Sequence, residues 1–403
     1  MEPTQKRDVR QGTTLLRRNT SRRWCIPPAI LQEPEEILEA TLVLDELPGQ
    51  VGLVLWQTLR DVTLWASLPP AERHELFASQ AAQQRLQLLL NSGAEPALDI
   101  SLTTLAALVG NPDDARPDIV SLVCIQISKW AEHRDAFATA LGYAQAAALT
   151  TPEEPEPAFR VGDLALRWGR LARAETWLRR CVGLSRRARE WDLYTRCFLE
   201  LGELYARRGE PVGARRMFVL GVRAARRHGL MPLRGMGLHG LLRLALEAGD
   251  LDEAEARARA AMRAYGRGHP RAPELVHDMA YLWVSRGQYH RALPMLQKLL
   301  PARLEPAERA FTLSVLARAA AGAGDTRAYQ EAWSDAWSIV NRRPGEEVRY
   351  PRALLELTRA AAAARDWHHM EQAARLATRA AEAQHDPRIA AQVEAAAAAA
   401  PRR

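Results

Sequence analysis

Lysine is nearly absent from this chain of 403 residues. Only Lys6, Lys129 and Lys298 occur, so almost all positive charge falls to arginine. No glycine-rich loop ends in Lys-Ser or Lys-Thr, and a phosphate cradle of that kind is excluded. Cysteine is equally sparse: Cys25, Cys124, Cys181 and Cys197 form no CxxC pair and no Cys/His cluster, which argues against a structural zinc site and against a disulfide framework. Aromatic residues make up 6% and β-branched runs are scarce, so the composition reads as mainly helical. No apolar run approaches the roughly 18–20 residues that span a bilayer. The N-terminus is basic, with no apolar signal-peptide core after it. A soluble cytoplasmic protein is the expectation.

Catalytic constellations are missing as well. GMGLHG at 235–240 matches G-x-G-x-x-G, but no β-branched strand precedes it, so it is expected in an inter-repeat loop and not at a dinucleotide. His368 and His369 are adjacent, and neighbours on a helix do not share a face, which leaves no metal pair. No nucleophile–base pair or metal set can be assembled. The sequence therefore implies neither an enzyme nor a cofactor nor a metal.

What is present is segregated charge. The net charge is +7, yet residues 1–32 carry +5, residues 33–157 carry −13 and residues 158–403 carry +15. Such a split points to electrostatic complementarity within the molecule or with a partner. Arginine together with alanine is also what a GC-rich genome encodes. Residues 1–34 read as a disordered basic tail, containing RRNTSRRW and the Pro27–Pro28 break. Residues 35–115 read as an acidic helical region. Its helices are expected at 51–68, with a broad apolar face, and at 71–90 after Pro69–Pro70. A repeat array is expected over 116–388 and an Ala-rich tail over 389–403.

The array declares itself through a glycine followed five residues later by an alanine: Gly169/Ala174, Gly209/Ala214, Gly249/Ala254 and Gly287/Ala292. The glycines are 40, 40 and 38 residues apart, the spacing of a stacked-repeat protein. Each unit reads as helix, turn, helix, with the glycine free to adopt the left-handed conformation that ends the first helix. In the second unit Leu201, Gly202, Tyr205, Gly209, Ala214 and Phe218 lie in register. The first unit keeps Gly162, Gly169, Ala174 and Leu178, and the fourth keeps Ala280, Trp283, Gly287, Ala292 and Leu296. Degenerate units are expected around Gly324–Asp325 and Arg365–Asp366, and one before, with Ala136 in the alanine slot.

This pattern resembles the tetratricopeptide repeat, in a long-period form of the kind found in bacterial regulatory proteins. The resemblance covers about residues 118–385 and implies an all-α fold, an α-solenoid of stacked antiparallel helix pairs. It also implies that first helices line a groove that binds a peptide or protein. In the register of the second unit, the groove positions are Asp163/Arg167, Glu203/Arg207, Arg243/Glu247 and Tyr281/Ser285, with His277 and Arg318 nearby. The expected partner-binding set is Arg167, Arg207, Arg243, His277, Tyr281 and Arg318, able to hold acidic or C-terminal groups. The same spacing also suits i,i+4 ion pairs within one helix. The family's chaperone-tail clamp uses groove asparagines; Asn19, Asn91, Asn111 and Asn341 do not occupy those positions.

A second feature is an arginine stripe on second helices: Arg179, Arg180, Arg186 and Arg187, then Arg215, Arg216, Arg223, Arg226 and Arg227. It is expected to be a solvated face. Alternatively it contacts phosphates of a nucleic acid or an acidic surface. No base-stacking aromatics are interleaved with it, which weakens the nucleic-acid reading. The function expected is a non-catalytic scaffold or regulator that binds a protein or peptide.

Overall fold

The computed structural model describes residues 39–74, 76–78, 80–266, 268–300, 305–342, 345–384 and 386–398. The basic tail 1–34, with Cys25, and the last five residues lie outside them. The described residues hold nineteen α-helices and two short 3-10 turns, and no strand. The chain divides into two compact units, 1–233 and 234–403.

The first unit opens with α1 (Glu39–Glu46), α2 (Gln50–Ser67), α3 (Ala81–Ser92) and α4 (Pro96–Gly110). Three helix pairs follow: α5 (Pro117–Glu132) with α6 (Phe137–Thr150), α7 (Pro155–Arg167) with α8 (Leu171–Ala188), and α9 (Trp191–Arg207) with α10 (Pro211–Arg227). Successive pairs touch, α6 on α7 and α8 on α9. The unit boundary falls inside α11 (Met231–Ala248), which leads to α12 (Leu251–Tyr265). The second unit continues with α13 (Ala272–Ser285), α14 (Tyr289–Leu299), α15 (Pro306–Ala323), α16 (Thr326–Val340), α17 (Pro351–Ala364), α18 (Trp367–Ala383) and a closing helix, α19 (Pro387–Ala397). There α13 pairs with α14, α15 with α16, and α17 with α18, on which α19 packs. This is an all-α helical-repeat architecture of the tetratricopeptide kind.

One turn makes every pair. Gly169, Gly209, Gly249, Gly287 and Gly324 all have φ between 71° and 78°, the region that L-residues with a Cβ avoid. The backbone then closes the helix end in the same way each time. Arg170 N–H donates to Ala165 O at 2.8 Å, Glu210 N–H to Tyr205 O at 2.9 Å and Gln288 N–H to Trp283 O at 2.8 Å. Asp135 and Arg365 take the left-handed position in the first and last pairs, at φ 57° and 59°. After three of these turns an aspartate caps the next helix: Asp250, Asp325 and Asp366 accept from the third following N–H. Ala174, Ala214, Ala254 and Ala292 are all fully buried, so the second helix of each pair sits close on the first. Opposite them the first helix is also thinned: a Cβ on Gly202 would lie 2.6 Å from the Phe218 ring.

Three expectations need correction. In the earliest repeat the alanine slot is Ala140 and not Ala136, because the left-handed residue is Asp135 and the slot lies five residues on. GMGLHG is not a loop but lies within α11, and the ring of Tyr265 packs against Gly235. The helix expected at 71–90 starts only at Ala81, after a 3-10 turn at Pro70–Glu72. The chain is held there by its side chains: Arg73 lies 4.0 Å over the Trp65 ring and donates to Leu68 O, and Trp65 Nε1 donates to Pro112 O at 2.7 Å.

The acidic helices share a core with the first repeat pair. Val54, Leu55, Leu59 and Val62 of α2 bury against Tyr143, Ala146 and Ala147 of α6. The Tyr143 hydroxyl donates to Leu55 O at 2.8 Å. Glu46 adds a polar latch, its carboxylate accepting from the N–H groups of Ala138 (2.7 Å) and Thr139 (2.8 Å). Those donors belong to the first turn of α6, which has no intrahelical acceptor for them. Apolar burial at about 25 cal/mol per Å² does most of the holding, and exposed pairs such as Arg134–Glu95, screened by solvent, add little.

Two stability outcomes follow from this packing. Ala214→Leu overpacks the α9/α10 pair and is expected to cost about 1–3 kcal/mol in urea unfolding; a cost near zero would mean the slot is not tight. Glu46→Ala leaves two N–H groups of α6 without their acceptor and is expected to cost roughly 1–2 kcal/mol. An unchanged midpoint would show that the α1 latch contributes nothing.

Candidate functional site

The groove residues of the first unit form a row across successive first helices. Arg167, at the end of α7, pairs with Asp163 at 2.8 Å and with Glu132 of α5. Arg160 also pairs with Glu132. Burial alone would push the Glu132 carboxyl up, but hydrogen bonds from Arg167 and Arg160 outweigh it and hold it below the ordinary glutamate range. On α9, Arg207 reaches back one repeat, its Nη1 donating to Leu166 O at 2.7 Å. Arg167 and Arg207 are thus contiguous, and both keep exposed guanidinium surface.

Arg243 belongs to the second unit, on α11, where Glu247 pairs with Arg352 of α17 at 3.1 Å. His277, Tyr281 and Arg318 are brought together. His277 and Tyr281 flank the ring of Phe311, with centroids 5.4 and 5.8 Å away. Tyr281 Oη donates to Glu356 at 3.3 Å, Arg318 to its other oxygen at 2.8 Å, and Arg359 to the first at 2.6 Å. The Glu356 side chain is only 2% exposed. Desolvation works against the Arg318 charge, and Glu356 more than offsets it. Two of the expected ligand-binding groups, Tyr281 and Arg318, therefore hold a buried carboxylate of their own chain.

Beside them lies a cluster that the sequence reading missed. Asp278 accepts from His239 Nε2 at 2.9 Å and contacts His277 Nδ1 at 3.4 Å, and His239 Nδ1 lies 3.3 Å from the Tyr265 hydroxyl. Burial would raise the Asp278 carboxyl, but the two histidine hydrogen bonds hold it well below the ordinary aspartate range. The His239 ring thus bridges the two, with Nε2 facing Asp278 and Nδ1 facing the Tyr265 hydroxyl. No nucleophile accompanies it, and among the described residues no group of three or more His, Cys, Asp or Glu can hold a metal. The signal available was spacing: His239 and Asp278 are 39 residues apart, one repeat.

Packing sorts the arginine stripe into two populations. Arg179 pairs with Glu175 at 2.5 Å and donates to the Tyr205 hydroxyl. Arg180 is 8% exposed and donates to Pro152 O, and Arg187 pairs with Glu153. Arg186, Arg215, Arg216, Arg223, Arg226 and Arg227 remain exposed. Aromatics from another helix stand beside the stripe without being interleaved with it. The start of α9 brings Trp191, Tyr194 and Phe198 against the end of α10, where Trp191 stacks on His228 at 4.2 Å. Sequence distance concealed this, because the rings come from a different helix.

No family model matches the sequence, and no curated protein matches it. Solved structures do. The apo form of RapI aligns with a TM-score of 0.52 at 11% identity, over 88% of this chain and 97% of RapI. The Rap conjugation gene regulator of the plasmid pLS20, solved with the Phr* peptide, gives 0.49 at 13% identity, over 87% and 98%. PilF of Pseudomonas aeruginosa gives 0.46 at 14%, over 57% of this chain and 96% of its own. The RapI likeness is one of fold, a helical-repeat solenoid. Among the described residues no helix is long and apolar enough to cross a membrane.

The Asp278 cluster makes a pH-dependent outcome. At pH 7, Asp278→Asn is expected to lower stability by about 1–3 kcal/mol, because it leaves a buried histidine donor without its charged acceptor. The native carboxyl is depressed, so its contribution is complete above the unfolded value near ~3.9 and fades as pH falls through the native one. Denaturation curves of the two proteins should separate at pH 7 and converge in strong acid. A constant gap across pH would contradict the ionised reading.

Proposed function

Starting from a tetratricopeptide-like α-solenoid, we propose that the chain is a non-catalytic scaffold or regulator that binds a peptide or protein segment. The observation that carries this reading is the ionic row on α5, α7 and α9. A solenoid offers an extended face, not a closed chamber, so recognition falls to side chains repeated along first helices. Arg167 and Arg207 are spaced one repeat apart, and each is held by acceptors that an incoming carboxylate can replace. In the second unit, Tyr281 and Arg318 support the face through Glu356 and contact ligand less. A nucleic-acid role for the whole stripe is disfavoured, because Arg179, Arg180 and Arg187 are engaged within the chain and leave no continuous basic track.

The test uses a binding partner recovered with the full chain and then purified. Arg167→Ala with Arg207→Ala is expected to weaken its affinity by roughly tenfold or more, while the melting temperature stays within a few degrees. Unaltered affinity in the double variant would place recognition on another surface.

A further inference from the structure

The exposed part of the arginine stripe borders a recess that no residue of the Arg167–Arg207 row lines. It encloses about 520 Å³ where the ends of α8 and α10 meet the start of α9. Its floor is apolar, formed by Phe198, Leu220 and Ala224, with Phe198 only 4% exposed. Its wall is aromatic. Trp191 stands edge-on to Tyr194 at 5.8 Å, and Tyr194 edge-on to Phe198 at 5.0 Å. Its rim is cationic, made by Arg186, Arg223 and Arg227. No carboxylate lines it, and among the described residues Arg223 and Arg227 make no ion pair. The two charges felt by the Tyr194 hydroxyl are likewise the guanidiniums of Arg186 and Arg227, against the upward push of burial.

Arg186 and Arg227 have a structural use, since cations in the last turns of α8 and α10 complement the helix dipoles. That use does not require an open aromatic recess between them. An apolar floor of this size takes one large side chain, and guanidiniums at its edge take carboxylates on either side of that chain. A nucleic acid would need the cationic track to continue along α8, where Arg179, Arg180 and Arg187 are already engaged.

We propose that this recess is a second recognition site, which binds an acidic peptide segment by an aromatic or large aliphatic anchor residue flanked by carboxylates. The anchor sits on Phe198 and Leu220 against the Trp191–Tyr194 wall, and the flanking acids pair with Arg223 and Arg227. The site goes beyond the inner row and stands or falls separately from it.

The probe is a fluorescein-labelled pentapeptide with a central phenylalanine and two glutamates on each side, titrated into the full chain by fluorescence anisotropy. Saturable binding is expected, weakened at least about tenfold by Arg223→Glu with Arg227→Glu. It should also weaken when the central phenylalanine is replaced by glycine, or when Trp191→Ala removes the wall. Both arginines are exposed, so the charge-reversed variant should keep its circular dichroism and melting temperature. Arg167→Ala with Arg207→Ala should leave binding of this peptide unchanged. The proposal is overturned by no saturation up to millimolar peptide, by equal binding to the charge-reversed variant, or by loss of binding in the Arg167/Arg207 variant. It is also overturned if a twelve-nucleotide oligouridine binds more tightly than the peptide and loses that affinity in the same charge-reversed variant.

Discussion

The close seating of each second helix on its first helix governs this molecule. It requires two things at once: a left-handed residue at the turn and almost no side chain where the helices touch. Gly209 with Ala214 meets both, and Gly202 facing Phe218 completes the fit from the other side. An added methyl group on either face has nowhere to go, because the interior is packed as densely as an organic crystal. Once a pair is closed in this way it has one apolar face left on each side. Stacking the next pair covers one, and the α1–α4 helices cover the free face of the first.

The same packing decides which charges are available. The chain is rich in arginine along its second helices, and a stripe drawn on the sequence treats these residues alike. In the folded molecule Arg179 is held by Glu175 and Tyr205, and Arg180 is buried on a carbonyl. Arg223 and Arg227, half a helix further along the next repeat, stand exposed beside an aromatic recess. A guanidinium buried on a backbone carbonyl, as Arg180 is, is out of a ligand's reach, whereas an exposed one such as Arg167 can exchange its acceptor for a ligand carboxylate. An exposed guanidinium beside an apolar floor gains more, because a ligand seated on that floor excludes water from the new pair. The proposed recognition therefore falls to arginines that packing leaves exposed.

How much of this was legible depended on whether a residue type carries its own geometry. The turns at Gly169, Gly209, Gly249 and Gly287 could be read because positive φ selects glycine, and the slots at Ala174, Ala214, Ala254 and Ala292 because only a small side chain fits there. The turn at Asp135 carried no such mark, which is why the alanine slot of the earliest repeat was placed four residues early. The irregular stretch after Pro70 was hidden for a different reason. Its conformation depends on Trp65 and Pro112, distant in sequence. Positions on first helices could be aligned, so Arg167 and Arg207 could be placed one repeat apart. Glu356, Asp278 and the rings around Arg223 come from other helices, and a single-helix pattern has no means of showing them.

Hydrogen–deuterium exchange of the full chain, with and without the glutamate-flanked phenylalanine peptide at saturating concentration, tests most directly whether ligands meet the charges that packing leaves exposed. Added protection is expected in fragments covering 184–199 and 219–230, with α15 and α17 unchanged. Protection confined to the α15–α17 network around Glu356, or spread evenly over the chain, would contradict it.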